Sequence, residues 1–257
     1  MLFVHGAGFR DRTLGLNYWG RIPGYFAQHG IAVYYGGTDA WGSVEENAKI
    51  LEARLRRLVE HEGVEKVNII AHSRGGLEAR YLISGLGMDW AVASLTTVST
   101  PHRGVKGMDL ALRIPAGLYR FAAFFVNLWF RMLGDRRPDF FNSSRALSRL
   151  QCDEFNKKYP DRERVYYQSY AAKLKHCFGD PLFTLLNLYL KRTDGENDGL
   201  CPVESAAWGE YRGLITTGGI FGVSHAGAID AYRVPCKGLA IPKLYLAMAE
   251  DLAALGC

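Results

Sequence analysis

Short apolar runs alternate with amphipathic segments along this chain, and the alternation predicts its elements of secondary structure. The runs are rich in β-branched or aromatic residues, as strands are. They cover residues 2–4, 31–35, 67–70, 94–98, 165–170 and 214–217. Because most of them are apolar throughout, as parallel strands covered on both faces are, the sequence predicts a mostly parallel central sheet of about six strands.

Helical periodicity fills the intervals between these runs. The clearest helix begins after Ser43, a predicted N-cap with Glu46 at the capping-box position, and its apolar face continues to Gly63. Further helices are predicted over residues 18–29, 75–84 and 240–255. This alternation of strand and helix is typical of a doubly wound α/β fold with helices on both faces of the sheet. The length of 257 residues fits one such domain, residues 1–257.

A segment over residues 105–145 interrupts the alternation, because it contains no strand pattern. Its helical pattern concentrates large apolar side chains, among them Phe121, Phe124, Phe125 and Trp129. Such a helix is either packed into the core or forms a lid whose apolar face meets lipid and whose aromatic residues bind an acyl chain. A second apolar stretch within residues 176–192 is a candidate part of the same cap.

Composition and charge exclude several classes of protein. With 48% hydrophobic and 22% charged residues the chain is an ordinary globular protein. A net charge of +5 without a basic tract is too small to indicate nucleic-acid binding. The apolar stretch 121–133 is interrupted by Asn127 and Arg131 and is too short to span a bilayer, so no transmembrane segment is predicted.

Cysteine spacing and the first residues bear on the protein's environment. The five cysteines include no CxxC pair, which argues against a structural zinc site. Because their number is odd, at least one thiol is unpaired, and we expect mostly reduced cysteines with room for one disulfide bridge. The chain opens directly on a strand pattern, so the sequence predicts no secretory signal. This favours the cytoplasm only if no segment precedes Met1, and the compartment stays open.

The strongest chemical signal follows the third predicted strand, in Ala71-His72-Ser73-Arg74-Gly75, which continues into a helical pattern. A strand that turns directly into a helix around AxSxG is typical of a nucleophile elbow. The turn strains the serine backbone and requires small residues two positions before and after it, as Ala71 and Gly75 are. We therefore expect Ser73 to be a nucleophile rather than a helix-capping serine.

A serine nucleophile needs a histidine base and an acid to orient it. In elbow enzymes these follow in the order Ser, acid, His, which leaves His102, His176 and His225. His225 is favoured, because it lies in a loop between the last predicted strand and the last helix. The acid is Asp198 or Asp194, since both lie in one polar turn before that strand, and Asp198 is favoured.

An oxyanion hole requires one backbone N–H from the residue after the nucleophile and another from a loop after an early strand. The loop His5-Gly6-Ala7-Gly8 follows the first predicted strand. We therefore expect the N–H groups of Ala7 and Arg74 to bind the oxyanion. A phosphate-binding loop is the alternative, but neither GxGxxG nor GxxxxGK follows.

The chain resembles the bacterial triacylglycerol lipases of the α/β-hydrolase superfamily in five places. These are His5-Gly6 for their oxyanion loop, residues 71–76 for their elbow, residues 99–104 for their (S/T)PHxG segment, residues 155–161 for their FNxxYPD stretch and residues 197–200 for their NDGLV loop. The resemblance implies an α/β-hydrolase fold with a helical lid or cap. It also implies Ser73 as nucleophile, Asp198 as acid, His225 as base and a structural role for His102.

The resemblance further implies that no cofactor is required. Relatives with a calcium site carry an aspartate two residues after the base, where this chain has Gly227. Asp194 and Asp230 remain as candidate calcium ligands, and no metal site is predicted.

The expected function is hydrolysis of carboxylic esters through an acyl-enzyme, with acylglycerols as substrates and a lipid–water interface as a partner. A short-chain carboxylesterase and an acyltransferase with the same triad are the alternatives, because the fold does not determine which molecule accepts the acyl group. A lipid-binding protein without catalytic activity is the alternative from another class.

Overall fold

Six parallel strands form the central sheet of the computed structural model, which describes residues 1–13, 15–234 and 238–257. The described residues contain eight strands in all, which are β1 (Leu2–Val4), β2 (Arg12–Thr13), β3 (Leu16–Asn17), β4 (Tyr34–Tyr35), β5 (Val67–His72), β6 (Val92–Val98), β7 (Tyr166–Ala172) and β8 (Glu210–Ile215). The short strands β2 and β3 form a separate antiparallel pair. The sheet has the order β4-β1-β5-β6-β7-β8. Its direction of growth therefore reverses beside β1, and the carboxyl ends of β1 and β5 border the crevice where ligands bind in such sheets.

Ten α-helices connect and cover these strands within the described residues. They are α1 (Ile22–Gln28), α2 (Val44–Glu62), α3 (Gly75–Arg80), α4 (Lys106–Arg113), α5 (Ala116–Met132), α6 (Phe140–Arg145), α7 (Arg149–Lys158), α8 (Thr184–Thr193), α9 (Val203–Ala206) and α10 (Ile241–Ala254). The predicted α/β fold with a mostly parallel sheet of about six strands is confirmed.

Two predicted strands differ most from the observed ones in extent, whereas the other four agree within two residues at each end. Of residues 31–35 only Tyr34–Tyr35 pair with β1. The last strand is Glu210–Ile215 instead of residues 214–217, because β8 lies at the edge of the sheet and carries exposed polar residues in its first half. A search for apolar runs cannot detect that half.

Helix α2 begins and ends where the sequence predicts. The Ser43 Oγ accepts the Glu46 N–H at 3.2 Å, which satisfies one free donor of the first turn. Gly63 ends the helix with φ of 64°, a left-handed conformation that glycine adopts without strain. Leu51 and Leu55 lie on its buried face.

The core has one layer on each face of the sheet, as alternating side chains require. Leu2 and Ile69 pack with Leu51 under α2 and α3. On the other face Phe3 packs with Trp19 and with residues of α1 and α10. The central strands of the sheet are thereby buried on both faces, and their carboxyl ends lie at one edge.

The segment 105–145 forms α4, α5 and α6, and it does not form a core helix. The one buried residue of α5 is Ala123. Phe121 is 65% exposed and Trp129 is 59% exposed. The alternative prediction that this helix is packed into the core is wrong, because its large apolar side chains face solvent.

Helix α8 lies beside this segment and also exposes apolar side chains, including Leu185 at 81%. It is joined to α4 at one end, where the Asp194 carboxylate accepts the N–H of Lys106 at 2.7 Å and of Gly107 at 3.2 Å. Tyr189 packs so close to Gly107 that a Cβ there would lie 2.7 Å from its ring.

No helix within the described ranges is long and apolar enough to cross a membrane. Four of the five cysteines, Cys152, Cys177, Cys201 and Cys257, are free, so no bridge joins any two of them. Cys236 lies outside the described residues.

Candidate active site

Ser73 lies at the tip of the turn between β5 and α3. Its φ is 55°, a conformation that is uncommon for residues other than glycine. The Ser73 N–H donates to the Val98 carbonyl at 3.0 Å and its carbonyl accepts the Gly76 N–H at 3.1 Å. These bonds join the tight turn to β6 and to the first turn of α3, so the half-buried Ser73 side chain stands at the carboxyl edge of the sheet.

The loop after β1 lies directly against this turn. A Cβ added at Gly75 would lie 2.4 Å from the His5 carbonyl oxygen, and one added at Gly6 would lie 2.6 Å from the Ser73 Cβ. The two backbones can approach this closely because both positions are glycines. Within the described residues, neither the Ala7 N–H nor the Arg74 N–H donates to a protein atom. Both donors expected for an oxyanion therefore lie at the turn without an internal acceptor.

His225 and Asp198 form a buried pair. The His225 Nδ1 lies 2.8 Å from the Asp198 Oδ2. The other carboxylate oxygen of Asp198 accepts the N–H of Leu200 at 3.0 Å and of Cys201 at 2.7 Å. Two backbone donors thus hold the carboxylate, whose second oxygen is aimed at one ring nitrogen of His225, and the far ring nitrogen is left for other chemistry.

The other candidate acid and bases lie elsewhere. Asp194 caps α4, as described above. His176 lies in an exposed loop, where its Nδ1 accepts the Phe178 N–H at 3.3 Å. His102 is buried with its Nε2 3.0 Å from the Thr97 Oγ1 and its ring stacked on Trp208.

The ring of His72 connects the turn to the His225 pair. Its centroid lies 4.3 Å from that of His225. The Tyr18 hydroxyl accepts the Gly6 N–H at 3.0 Å and lies 2.7 Å from the His72 Nδ1. Burial lowers the pKa of His72 well below its ordinary value of 6.5, so the ring packs against His225 as a neutral group. No sequence motif indicated Tyr18, because its two partners are distant in the chain.

The two candidate calcium ligands are bonded to protein donors and do not share a site. Asp230 accepts the Arg21 backbone N–H and its Nε, each at 2.8 Å, and its Nη2 at 2.6 Å. Asp194 binds the first turn of α4. Across the part of the chain that the structure describes, no three His, Cys, Asp or Glu side chains are grouped to hold a metal ion.

The four candidate substrate-binding residues all lie on α5, and the rings of three of them are in contact. The ring centroid of Phe125 is 5.3 Å from that of Phe121 and 5.5 Å from that of Phe124. Together with Trp129 they leave α5 with an apolar surface exposed to solvent.

Comparison of the sequence with curated proteins finds several named triacylglycerol lipase, and no family model matches the chain. Triacylglycerol lipase 2 of Saccharomyces cerevisiae is 32% identical over 209 residues, which are 79% of this chain and 60% of the yeast protein. Triacylglycerol lipase of Burkholderia plantarii is 29% identical over 172 residues, which are 62% of this chain and 48% of that protein. The chain therefore spans about half to three fifths of the length of these relatives.

Solved structures share the fold at lower identity. A lipase of Bacillus licheniformis in its mature form has a TM-score of 0.67 at 19% identity, covering 90% of this chain and 86% of its own. A metagenomic carboxyl esterase has a TM-score of 0.77 at 19% identity, covering 98% of this chain and 75% of its own. The fold of the chain is thus one already seen in solved proteins.

Proposed function

We propose, from the premise that this chain has the α/β-hydrolase fold and is homologous to triacylglycerol lipases, that it hydrolyses carboxylic esters with Ser73 as nucleophile. Asp198 and His225 complete the proposed triad. The observation that carries the proposal is the left-handed Ser73 at the carboxyl edge of the sheet, beside a loop with an unbonded N–H. The buried His225–Asp198 pair supports it.

In the proposed reaction, the Ser73 Oγ attacks the acyl carbon while His225 takes its proton. The carbonyl oxygen becomes an oxyanion, which accepts hydrogen bonds from the N–H groups of Ala7 and Arg74. The C–O bond to the alcohol then breaks, and His225 gives its proton to the departing oxygen. Asp198 holds the ring and stabilises the imidazolium.

The second half of the reaction repeats these roles with water. His225 takes a proton from water, the hydroxide attacks the acyl-enzyme, and a second oxyanion forms in the same hole. When the intermediate collapses, the acid leaves and Ser73 recovers its proton. These steps use only side chains and backbone groups of this chain, so we propose that no metal ion takes part.

We propose acylglycerols as the substrates, with residues 105–145 acting as a lid and residues 176–192 as part of the same cap on the single domain 1–257. The exposed apolar side chains of α5 and α8 support this, because large exposed apolar patches are sites of interaction. A lipid–water interface would cover such a surface, and Phe121, Phe124, Phe125 and Trp129 would contact acyl chains.

The test is hydrolysis of p-nitrophenyl esters from acetyl to palmitoyl, below and above the concentration at which they aggregate. Loss of activity in Ser73→Ala, with wild-type rates that rise with chain length or aggregation, is expected. Ser99→Ala is the matched control, because Ser99 has a similar φ of 50° after the next strand. Serine-dependent activity on short soluble esters alone would favour a carboxylesterase, and acyl transfer to added alcohols would indicate an acyltransferase. Full activity in Ser73→Ala would contradict the triad.

A further inference from the structure

Arg74, whose backbone N–H is one of the two donors proposed for the oxyanion, is completely buried. Its Nε lies 2.9 Å from the Oε1 of Glu78, one helical turn further along α3, and Glu78 is equally buried. The Asn47 Nδ2 donates a second hydrogen bond to that carboxylate oxygen at 2.8 Å. Burying two charges costs free energy that an isolated ion pair seldom recovers, so this pair calls for an explanation beyond stability.

The remaining guanidinium donors reach two other parts of the chain. The Nη2 donates to the carbonyls of Asp39 at 3.3 Å and of Ala40 at 3.2 Å. The Nη1 donates to the Ser143 Oγ on α6. A guanidinium presents its donors in a rigid planar fork, so these contacts fix one side chain from several directions.

Residues 38–41, which we call the anchor loop, also hold the loop that carries Ala7. The Gly8 N–H donates to the Ala40 carbonyl at 3.1 Å, the same oxygen that Arg74 binds. The Thr38 carbonyl and hydroxyl lie 3.1 Å and 2.9 Å from the His5 Nε2. The position of Ala7 is therefore determined from both sides by the anchor loop.

The anchor loop also forms hydrogen bonds with the segment that follows α5. The Asp135 carboxylate accepts the N–H of Ala40 at 2.9 Å and of Trp41 at 3.0 Å. The Trp41 carbonyl accepts the Asp139 N–H at 2.7 Å. The Trp41 ring packs edge-on against Phe140 with a centroid distance of 4.6 Å. One loop thus connects the base of the proposed lid to the proposed oxyanion hole.

We propose that the side chain of Arg74 is a positioning residue, which holds the anchor loop and α6 against the elbow and so sets the relative position of the Ala7 and Arg74 N–H groups. This inference rests on the proposed function. Because the contacts leave Asp198 and His225 untouched, Arg74 acts on the stabilisation of the oxyanion and not on proton transfer.

The test compares Arg74→Lys, Arg74→Gln and Arg74→Gln/Glu78→Gln on a soluble short-chain p-nitrophenyl ester. Active sites are first titrated to completion with a fluorophosphonate, so that kcat refers to folded enzyme only. We expect kcat per titrated site to fall by about 10- to 100-fold in all three, because small displacements of oxyanion donors have effects of that size. KM and the pH at half-maximal kcat should stay unchanged. Lysine is expected to rescue little, since one ammonium cannot reach Glu78, Ser143 and two carbonyls together.

Arg80→Gln is the matched control. Arg80 is equally buried on α3, but it stacks on the Trp208 ring at 3.9 Å, away from the anchor loop. It should lower the melting temperature and leave kcat per titrated site unchanged. The proposal is overturned if the Arg74 variants behave like Arg80→Gln, or if the double variant restores kcat, since the effect would then come from the unpaired Glu78. If the fluorophosphonate labelled the wild-type protein at a residue other than Ser73, that result would instead contradict the proposed function.

Discussion

Asp198 and Asp194 occupy one polar turn, yet their carboxylates have different partners. The Asp198 carboxylate faces the His225 ring and the Asp194 carboxylate faces the backbone of α4. Residue type and spacing left both as candidates, because a turn of this composition does not reveal which side chain points inward. The contact that separates them spans 27 residues of chain.

We predict that Asp198→Asn lowers kcat for ester hydrolysis by about a thousandfold or more, because the amide favours the wrong tautomer of His225. KM should change little. Steady-state kinetics with a soluble ester, normalised to titrated active sites, measure this.

Asp194→Asn is the control for this variant. This substitution makes the same change in size and charge as Asp198→Asn. Because the Asp194 carboxylate binds the first turn of α4 and not His225, kcat should stay within about twofold of wild type. An equal loss of kcat in both variants would contradict the assignment of Asp198 as the acid.

At the scale of elements, the observed helix ends agree with the predicted ones where the sequence carries both an N-cap residue and a C-terminal glycine. Helix α2 begins after Ser43 and ends at Gly63, as expected. The aromatic helix was different, because its composition was compatible with burial and with exposure. Whether α5 finds a partner depends on the elements around it, and in the structure its apolar side chains face solvent.

We predict that Phe124→Ser/Trp129→Ser lowers activity on emulsified long-chain triacylglycerol by about a hundredfold or more and leaves hydrolysis of soluble acetyl esters unchanged. The physical reason is the loss of about 1.5 to 3 kcal/mol of transfer free energy for each large apolar side chain that enters lipid. Rates on the two substrates, measured on the same preparations, test this.

Trp90→Ser is the matched control for α5. Trp90 is also exposed, at 43%, but it precedes β6 and so lies at the amino edge of the sheet, opposite the proposed site. It should affect neither substrate. If it reduced activity on emulsions as much as the α5 variant does, general surface hydrophobicity and not a lid would explain the result.

At the scale of the whole molecule, two buried histidines should make stability depend on pH. Burial lowers the pKa of both His72 and His102 well below 6.5. Below about pH 6.5 the unfolded chain therefore binds protons that the folded chain cannot, so the free energy of unfolding falls as the pH falls. Above that pH both rings are neutral in either state and this dependence disappears.

We predict a loss approaching about 1.4 kcal/mol per pH unit for each of these histidines below pH 6.5. Urea unfolding between about pH 5 and pH 8 measures it. His102→Gln should reduce the slope below pH 6.5, because it removes one of the two buried rings. A slope that His102→Gln does not alter would show that other groups titrate.

The sequence by itself determined the elements that depend on neighbours in the chain. Apolar runs predicted the parallel sheet, the capping residues bounded α2, and the small residues around Ser73 predicted the turn between strand and helix. The family resemblance indicated Asp198 as the acid, and the structure places its carboxylate, not that of Asp194, at His225. The tertiary structure alone decided that the apolar side of α5 is exposed and that Arg74 joins the elbow to Ser143. The first group rests on backbone preferences and on patterns that repeat within a few residues. The second rests on contacts between groups far apart in the chain, which exist only after the sheet has brought the ends of its strands together.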